Sequence, residues 1–259
     1  MTDHIQIDHR DGVQSLRFYR QQKKNAITRA MYAALADAIA DGEARDAIGA
    51  HVFLGSGGIF TAGNDLTDFA AADPSVSQDT PVRAFLEALV AARKPLLAAV
   101  DGPAIGIGTT LLLHCDLVFA SPAARLQTPF LDLGLVPEAG SSLLLPQRIG
   151  HPMAFELLCL GAPFNAERAL AAGLINAIVP AAGLDAHAHA AAKELARKPR
   201  QALLLSRRLL RGDPAALRSR IDEELLHFAE RLQSPEARDA FSAFFEKRRP
   251  DFAKLKPKT

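Results

Sequence analysis

The chain has 259 residues, of which 49% are hydrophobic, and its 30 Lys and Arg residues nearly balance its 29 Asp and Glu residues. This length and composition are typical of a single soluble globular α/β domain with one large core. The net charge of +1 provides no broad basic field, so we expect no nucleic-acid partner.

The sequence also argues against membranes, disulfides and metals. It contains no apolar stretch of about 18 residues and begins with polar residues, so we expect neither a membrane span nor a secretory signal. Cys115 and Cys159 lie far apart in apolar segments and show no metal-ligand spacing. We therefore predict no disulfide framework, no metal site and a cytoplasmic location.

Strand and helix patterns alternate in the first half of the chain. Helical spacing of apolar residues predicts a helix over 28–44, capped by Thr28, and another over 81–92. Short apolar runs predict strands at 13–18, 51–54, 96–100 and 117–120. This alternation indicates an α/β fold with a largely parallel sheet.

Helical patterns dominate after about residue 140 and continue to Phe245, apart from a strand-like run at 175–179. We therefore divide the chain into a core over 1–195 and a C-terminal helical region over 196–259. That region carries many apolar residues, Leu209 and Phe244 among them. We expect some of them to contact another subunit, although packing on their own domain explains each one equally well.

Three loops follow predicted strands, where open α/β sheets place their ligands. The first runs from Gly55 to Leu66 and is rich in glycine, which lets the backbone approach a ligand closely. Asp65 is placed to brace this turn. The loop lacks the Lys-Ser/Thr pair of a phosphate-binding P-loop, and an ordinary glycine-rich turn is the alternative interpretation.

The second loop, residues 101–111, joins a predicted strand to an apolar helix. It resembles a dinucleotide fingerprint, but Leu111 stands where the third glycine belongs. What remains is a helix N-terminus with free backbone N–H groups, which suits a partial negative charge. Glycines needed only for close helix-sheet packing are the alternative.

The third loop, residues 128–142, carries Glu138 between a proline and small residues in an otherwise apolar segment. Burial would raise the pKa of this glutamate and suit it to carrying a proton. A glutamate at a helix start is also a common cap or dipole partner, so the residues alone leave both roles open. We expect Ser141 and Ser142 to cap the helix that follows.

Taken in this order, the three loops resemble the crotonase (enoyl-CoA hydratase/isomerase) superfamily. The resemblance extends from Asn25-Ala26-Ile27 to the closing segment 244–252. It implies a (ββα)n spiral with mostly parallel sheets and a C-terminal helical trimerisation layer, hence a homotrimer or hexamer. It also implies an acyl-CoA thioester as substrate, with no cofactor because coenzyme A is part of the substrate.

The resemblance assigns roles within the loops. Two backbone N–H groups bind the thioester oxygen in this superfamily, and by position they belong to Ala62 and Ile107. Ile107 replaces the usual glycine without removing the donor. A C-terminal basic residue, from the same or a neighbouring protomer, is expected to meet the CoA phosphates. The remaining implied CoA-binding residues are Lys24, Ala62, Gly63, Asn64, Asp65 and Leu66.

The acid and base positions narrow the reaction. Hydratases of this superfamily carry two glutamates where this chain has Thr110 and Phe130, neither of which replaces a carboxylate as a proton carrier. Glu138 matches the single catalytic acid of delta-3, delta-2-enoyl-CoA isomerases of the peroxisomal type. The resemblance therefore implies an isomerase with Glu138 as its sole acid and base.

Other functions stay open. One alternative is another reaction of the superfamily, such as hydration or thioester hydrolysis, which only the shared fold supports. A third hypothesis is a non-catalytic acyl-CoA-binding or interaction protein. One branch of the superfamily binds RNA, which the near-zero net charge of this chain does not favour. We expect the segment Asp68 to Pro81 to form a mobile wall of the acyl pocket.

Overall fold

Two sheets form the framework of the computed structural model, which describes residues 2–70 and 80–255. Within these residues a larger sheet has the strand order β1-β2-β3-β4-β6-β9, and a smaller one has the order β5-β7-β8. The strands are β1 (Ile5–Arg10), β2 (Val13–Phe18), β3 (Ala50–Leu54), β4 (Leu96–Val100), β5 (Pro103–Ile105), β6 (Leu117–Ala120), β7 (Arg125–Gln127), β8 (Phe164–Asn165) and β9 (Ala177–Ile178).

The larger sheet is parallel from β2 to β9, as the alternating sequence pattern predicts. The four predicted strands correspond to β2, β3, β4 and β6. The exception is β1, which pairs antiparallel with β2 across a turn at Asp11 and Gly12, both with positive φ. Such a two-residue turn suits the twist of a hairpin. Most of β1 is exposed and polar, so it lacks the apolar run that marked the other strands.

The helices cover both faces of this sheet. Both predicted helices are present, and Thr28 Oγ1 caps the first by accepting from Met31 N at 3.3 Å. The helices are α1 (Arg29–Ala44), α2 (Leu66–Ala70), α3 (Pro81–Ala91), α4 (Ile107–Thr110), α5 (Ser141–Ile149), α6 (His151–Leu158), α7 (Ala166–Ala171), α8 (Ala181–Ala196), α9 (Arg200–Arg211), α10 (Ala215–Leu232) and α11 (Pro235–Phe245).

Side-chain alternation along the strands separates two apolar cores. Val52 of β3 belongs to the core that contains α8, whereas its neighbour Phe53 belongs to the core that contains α1 and α3. Successive side chains of a strand point to opposite faces, so a fully buried strand serves both cores. The larger core continues through α4 and α5 to α10, and this places the third loop against the C-terminal helices.

The C-terminal helices pack on the core and also present apolar side chains to solvent. Helix α10 contacts α3 and α5. Leu209 and Leu210 of α9 are 71% and 89% exposed, and Phe244 and Phe245 of α11 are more than half exposed. Within residues 2–70 and 80–255, no helix combines the length and apolarity needed to cross a membrane. The predicted pocket wall over Asp68 to Pro81 falls largely on residues 71–79, outside the described residues.

Asn25 connects its own loop to the first glycine loop through side-chain hydrogen bonds. It is fully buried with φ of +56°. Its Nδ2 donates to the carbonyl oxygens of Ser56 at 3.0 Å and Ile59 at 2.8 Å, and its Oδ1 accepts from Arg20 N at 2.9 Å. The Asn25-Ala26-Ile27 segment therefore holds the first glycine loop in place.

Replacing Asn25 with alanine should lower the free energy of unfolding by about 2–4 kcal/mol, because buried carbonyls lose their donor and alanine tolerates a positive φ poorly. Urea denaturation followed by circular dichroism measures the loss. The exposed neighbour Gln22 provides the matched control, since Gln22→Ala should leave the transition in place. Equal stability of the two variants would refute this role of Asn25.

Candidate active site

The Glu138 carboxyl lies in the interior between α4 and the start of α5. Glu138 is 4% exposed, and Thr110 Oγ1 donates a hydrogen bond to its Oε1 at 2.6 Å. Burial raises the pKa of Glu138 to about 8, the charge of Glu224 adds to the rise, and the Thr110 hydrogen bond opposes it. A carboxyl with this pKa exchanges protons readily near neutral pH.

The backbone after Glu138 adopts a tight left-handed turn. Ala139 and Gly140 have φ of +61° and +72°, and α5 begins at the next residue. His114 Nε2 lies 2.8 Å from the carbonyl oxygen of Ala139 and therefore donates to it. Burial lowers the pKa of His114 to about 4, so the imidazole is neutral and Nε2 carries its proton.

Glu224 of α10 receives the free N–H groups at the start of α5. Its carboxylate accepts from Gly140 N at 2.6 Å, from Ser142 N at 2.9 Å and from Ser142 Oγ at 2.5 Å. The prediction that Ser141 and Ser142 cap this helix is wrong, because Glu224 is the cap. Ser142 donates to that carboxylate, and within the described residues Ser141 Oγ has no hydrogen-bond partner.

Thr110 and Phe130 are both part of the interior, with exposures of 0% and 5%. The Thr110 hydroxyl contacts Glu138, and the Phe130 ring belongs to the larger apolar core. Both positions therefore contribute side chains that cannot carry a proton as a carboxylate does, as the sequence indicated.

Ile107 supplies a free backbone donor at the start of α4. Gly106, with φ of +55°, precedes it, and the Gly106 carbonyl accepts from Thr109 N and Thr110 N. Ile107 is fully buried, and its N–H has no hydrogen-bond partner in the described part of the chain. Because buried backbone N–H groups are almost always paired, an unpaired one at a helix start suits an acceptor supplied by a ligand.

The first glycine loop also contains a free donor, but it is not the predicted one. Ala62 N donates to the carbonyl oxygen of Lys24 at 2.9 Å, so this N–H is already used. Ile27 bridges to Asn64 in parallel: Ile27 N donates to Gly63 O, and Asp65 N donates to Ile27 O. In this pattern the Asn64 N–H points away from Ile27, and it has no partner among residues 2–70 and 80–255. The assignment of Ala62 as the free donor is therefore corrected to Asn64.

Contacts between the two glycine loops bring these donors to the same edge. Thr61 bridges to Ala104 in parallel, and Ile105 N donates to Thr61 O at 3.0 Å. Gly63, with φ of +86°, packs so closely that a Cβ atom there would lie 2.8 Å from Ile105 O. Only glycine permits this approach, which places Asn64 beside the entry to α4.

Tyr32, which was not predicted from the sequence, connects α1 to this edge. Tyr32 is fully buried and its hydroxyl donates to Asn64 Oδ1. Burial raises the pKa of Tyr32 well above its ordinary value, and the Glu138 charge adds to the rise. Tyr32 therefore lies within electrostatic range of Glu138. The sequence feature that could have indicated Tyr32 is a hydroxyl-bearing side chain on the apolar face of helix α1.

The other predicted ligand-binding residues surround the first loop. Arg20 pairs with Asp65 at 2.6 Å, and Asp65 Oδ1 accepts from Thr67 N and Asp68 N at the start of α2. Asp65 thus braces the turn, as predicted. The Lys24 side chain is exposed, and Leu66 is half-buried.

The described residues contain no cluster of three His, Cys, Asp or Glu side chains that could hold a metal ion. A cavity of about 640 Å³ lies between α3, α5, α9 and α10, and none of the predicted site residues lines it.

Comparison with known proteins identifies the family. The family model described as enoyl-CoA hydratase/isomerase matches residues 8–255. The chain belongs to the enoyl-CoA hydratase/isomerase family. A crystal structure of an enoyl-CoA hydratase/isomerase from Pseudoalteromonas atlantica T6c is 40% identical, with a TM-score of 0.91 over 96% of this chain and 100% of that one.

Characterised relatives in this family carry out different reactions. Enoyl-CoA delta isomerase 2 of Rattus norvegicus is 33% identical over 93% of this chain, which spans only 63% of the rat protein. A 4-chlorobenzoyl coenzyme A dehalogenase of an Arthrobacter species is 31% identical over 88% of this chain and 89% of its own length. Similarity of this degree shows the family and the crotonase fold, whereas the reaction has to be argued from the site.

The buried carboxyl should leave a signature in the pH dependence of stability. The folded pKa of Glu138, about 8, exceeds its reference value of 4.5, so the folded state holds a proton that the unfolded state releases between these values. The free energy of unfolding of the wild type should therefore fall, relative to Glu138→Gln, by a few kcal/mol as pH rises from about 5 to 9. Urea denaturation of both proteins at several pH values measures the difference. Parallel stability curves would show that the carboxyl ionises normally.

Proposed function

We propose that this protein is a delta-3, delta-2-enoyl-CoA isomerase, which moves the double bond of a 3-enoyl-CoA to give the trans-2-enoyl-CoA. The observation that carries the proposal is one buried carboxyl with a raised pKa, Glu138, bonded to Thr110 of α4, the helix that begins at the unpaired Ile107 N–H. Thr110 and Phe130 leave Glu138 without a second carboxylate at the positions where hydratases of the family need one.

In the first step the Glu138 carboxylate takes a proton from C2 of the acyl group. The electrons of the C2–H bond form a double bond between C1 and C2, and the carbonyl electrons move onto the thioester oxygen. The Asn64 and Ile107 N–H groups donate to that oxygen as its charge grows. Loss of one such donor typically costs about 2.7–4 kcal/mol of transition-state stabilisation, so these groups supply a large share of the catalysis.

In the second step Glu138, now protonated, returns the proton to C4. The electrons of the C3–C4 double bond form the new C4–H bond, a double bond forms between C2 and C3, and the thioester carbonyl is restored. Taking the proton from one carbon and returning it two carbons away requires only one carboxyl. The Thr110 hydrogen bond to Oε1 holds one carboxyl oxygen, which leaves the other for the substrate.

The CoA portion is proposed to lie along the first glycine loop. Gly63 and the backbone from Ala62 to Leu66 accommodate the adenine, and the exposed Lys24 side chain meets the phosphates together with a basic residue of the C-terminal segment. A homotrimer or hexamer is also proposed, supported by the exposed apolar side chains of α9 and α11. No separate cofactor is needed for this reaction.

Replacing Glu138 with glutamine should abolish isomerase activity, because the amide keeps the Thr110 hydrogen bond but cannot carry the proton. With 3-hexenoyl-CoA as substrate and the conjugated thioester followed by absorbance, kcat should fall by about 10²–10⁴-fold. Glu230→Gln on exposed α10 surface serves as the control and should retain wild-type turnover. Persisting turnover in Glu138→Gln would exclude the proposed mechanism. Rapid hydration of a 2-enoyl-CoA by the wild type would favour a hydratase instead.

The pH profile should report the ionisation of the same carboxyl. Because Glu138 acts first as a base, kcat/KM of the wild type should rise with pH, reach half of its maximum near pH 8 and level off above about pH 9, following its pKa of about 8. Thr110→Val removes the hydrogen bond that favours the carboxylate, so the rise should move to higher pH and kcat/KM at pH 7 should fall about tenfold. A profile that is flat from pH 6 to 9, or one that Thr110→Val leaves unchanged, would contradict this assignment.

A further inference from the structure

The Ala139–Gly140 peptide, one residue beyond Glu138, is held at both ends by side chains from distant elements. Its carbonyl oxygen, from Ala139, accepts from His114 Nε2 at 2.8 Å. Its N–H, from Gly140, donates to Glu224 Oε2 at 2.6 Å. His114 comes from the turn after α4 and Glu224 from the middle of α10. The plane of this single peptide is therefore fixed by two buried groups that are far apart in sequence.

The Ala139–Gly140 peptide lies in a left-handed turn, a backbone conformation that is stable only when neighbouring groups hold it. A left-handed φ costs about 1–2 kcal/mol for a residue with a Cβ atom, and Ala139 adopts it next to Gly140. Strained backbone of this kind persists only where its surroundings fix it. Helix α10 also closes over the turn, because a Cβ atom on Gly140 would lie 2.3 Å from Leu217 Cδ1.

The hydrogen bonds that Glu224 accepts from the described residues all come from this turn. Glu224 is 6% exposed, and its carboxylate accepts from Gly140 N, Ser142 N and Ser142 Oγ. Among the described residues no basic side chain forms an ion pair with it, since the neighbouring Arg220 pairs with Glu223. A buried carboxylate satisfied by the N–H groups of a helix start uses the positive end of the helix dipole.

The Glu224 carboxylate also acts electrostatically on Glu138, the proposed proton carrier. Tyr32 of α1 and Glu224 of α10 interact electrostatically with Glu138, whereas His114 contacts the Ala139 carbonyl and the charge of Arg220 acts on Glu224. Of these, Glu224 raises the proton affinity of Glu138, while the Thr110 hydroxyl lowers it. Glu224 is therefore placed to act on both the direction and the charge of the Glu138 carboxyl.

We propose that Glu224 is a positioning residue for proton transfer: from α10 it clamps the Ala139–Gly140 peptide and so holds the Glu138 carboxyl toward the Asn64 and Ile107 N–H groups. The inference rests on the proposed role of Glu138 as the proton carrier. It assigns the C-terminal helical region a direct part in the active site, beyond covering the core.

Two substitutions separate the geometric and electrostatic parts of this role. Glu224→Gln removes the charge and presents one N–H group where an acceptor is needed, so kcat should fall about 10–100-fold while KM changes less than about threefold. The rise of kcat/KM with pH should move to lower pH. Glu224→Asp keeps the charge but is too short to hold both ends of the turn, so kcat should fall without this movement. The control Glu230→Gln, on the same helix, should change neither.

A second readout does not depend on turnover. In protein labelled with ¹³C at the glutamate carboxyls, the resonance lost in Glu138→Gln identifies Glu138, and its titration midpoint should lie at lower pH in Glu224→Gln than in the wild type. A shifted midpoint in a protein without isomerase activity would support the action of Glu224 on the Glu138 carboxyl and reject the proposed function. An unchanged midpoint and unchanged kcat in folded Glu224→Gln would overturn the clamp. Should that variant fail to fold, a wild-type kcat in Glu224→Asp overturns it.

Discussion

The burial of one carboxyl, Glu138, is the constraint around which the site is built. A carboxyl removed from water has a raised pKa unless other groups stabilise its charge. The described residues place no basic side chain against Glu138. They provide one hydroxyl, from Thr110, on one side and the charge of Glu224 on the other. The resulting pKa of about 8 keeps both protonation states within reach, which is the property that a group needs to accept a proton and then return it.

The second requirement of the proposed reaction is a place for negative charge, and we propose that backbone N–H groups provide it. Gly63 lets the first loop approach Ile105, and the bridge between Thr61 and Ala104 sets the relative positions of the two loops. Unpaired N–H groups of Asn64 and Ile107 then lie at a strand edge and a helix start. Because no side chain supplies these donors, position 107 tolerates isoleucine in place of glycine. The same reason explains why side-chain identity alone did not reveal which residue of the first loop donates.

The sequence predicted the features that depend on neighbouring residues and missed those that depend on contacts between residues far apart in the chain. The strands at 13–18 and 96–100 and the helix over 28–44 were predicted because apolar periodicity and caps are local signals. Asn64 was predicted to bind CoA, but its role as the free donor was missed, because the direction of its N–H depends on a bridge to Ile27, which no local pattern encodes. Glu224 was missed because it meets Gly140 across 84 residues of chain. The positions of Thr110, Phe130 and Glu138 were predictable only through three motifs considered together.

The packing at position 130 also bears on the difference between isomerases and hydratases. Adding water across a double bond in this family uses a second carboxylate where this chain has Phe130, a ring buried in the larger core. A glutamate there would be a further carboxyl buried in the core that also contains Ala139, the residue next to Glu138, and burying it would be costly without a charged partner. Its charge would raise the pKa of Glu138 further. Under the proposed mechanism, a carboxylate at position 130 would therefore add negative charge to a core in which Glu224 already raises the pKa of Glu138, and this disfavours hydration as the reaction of this chain.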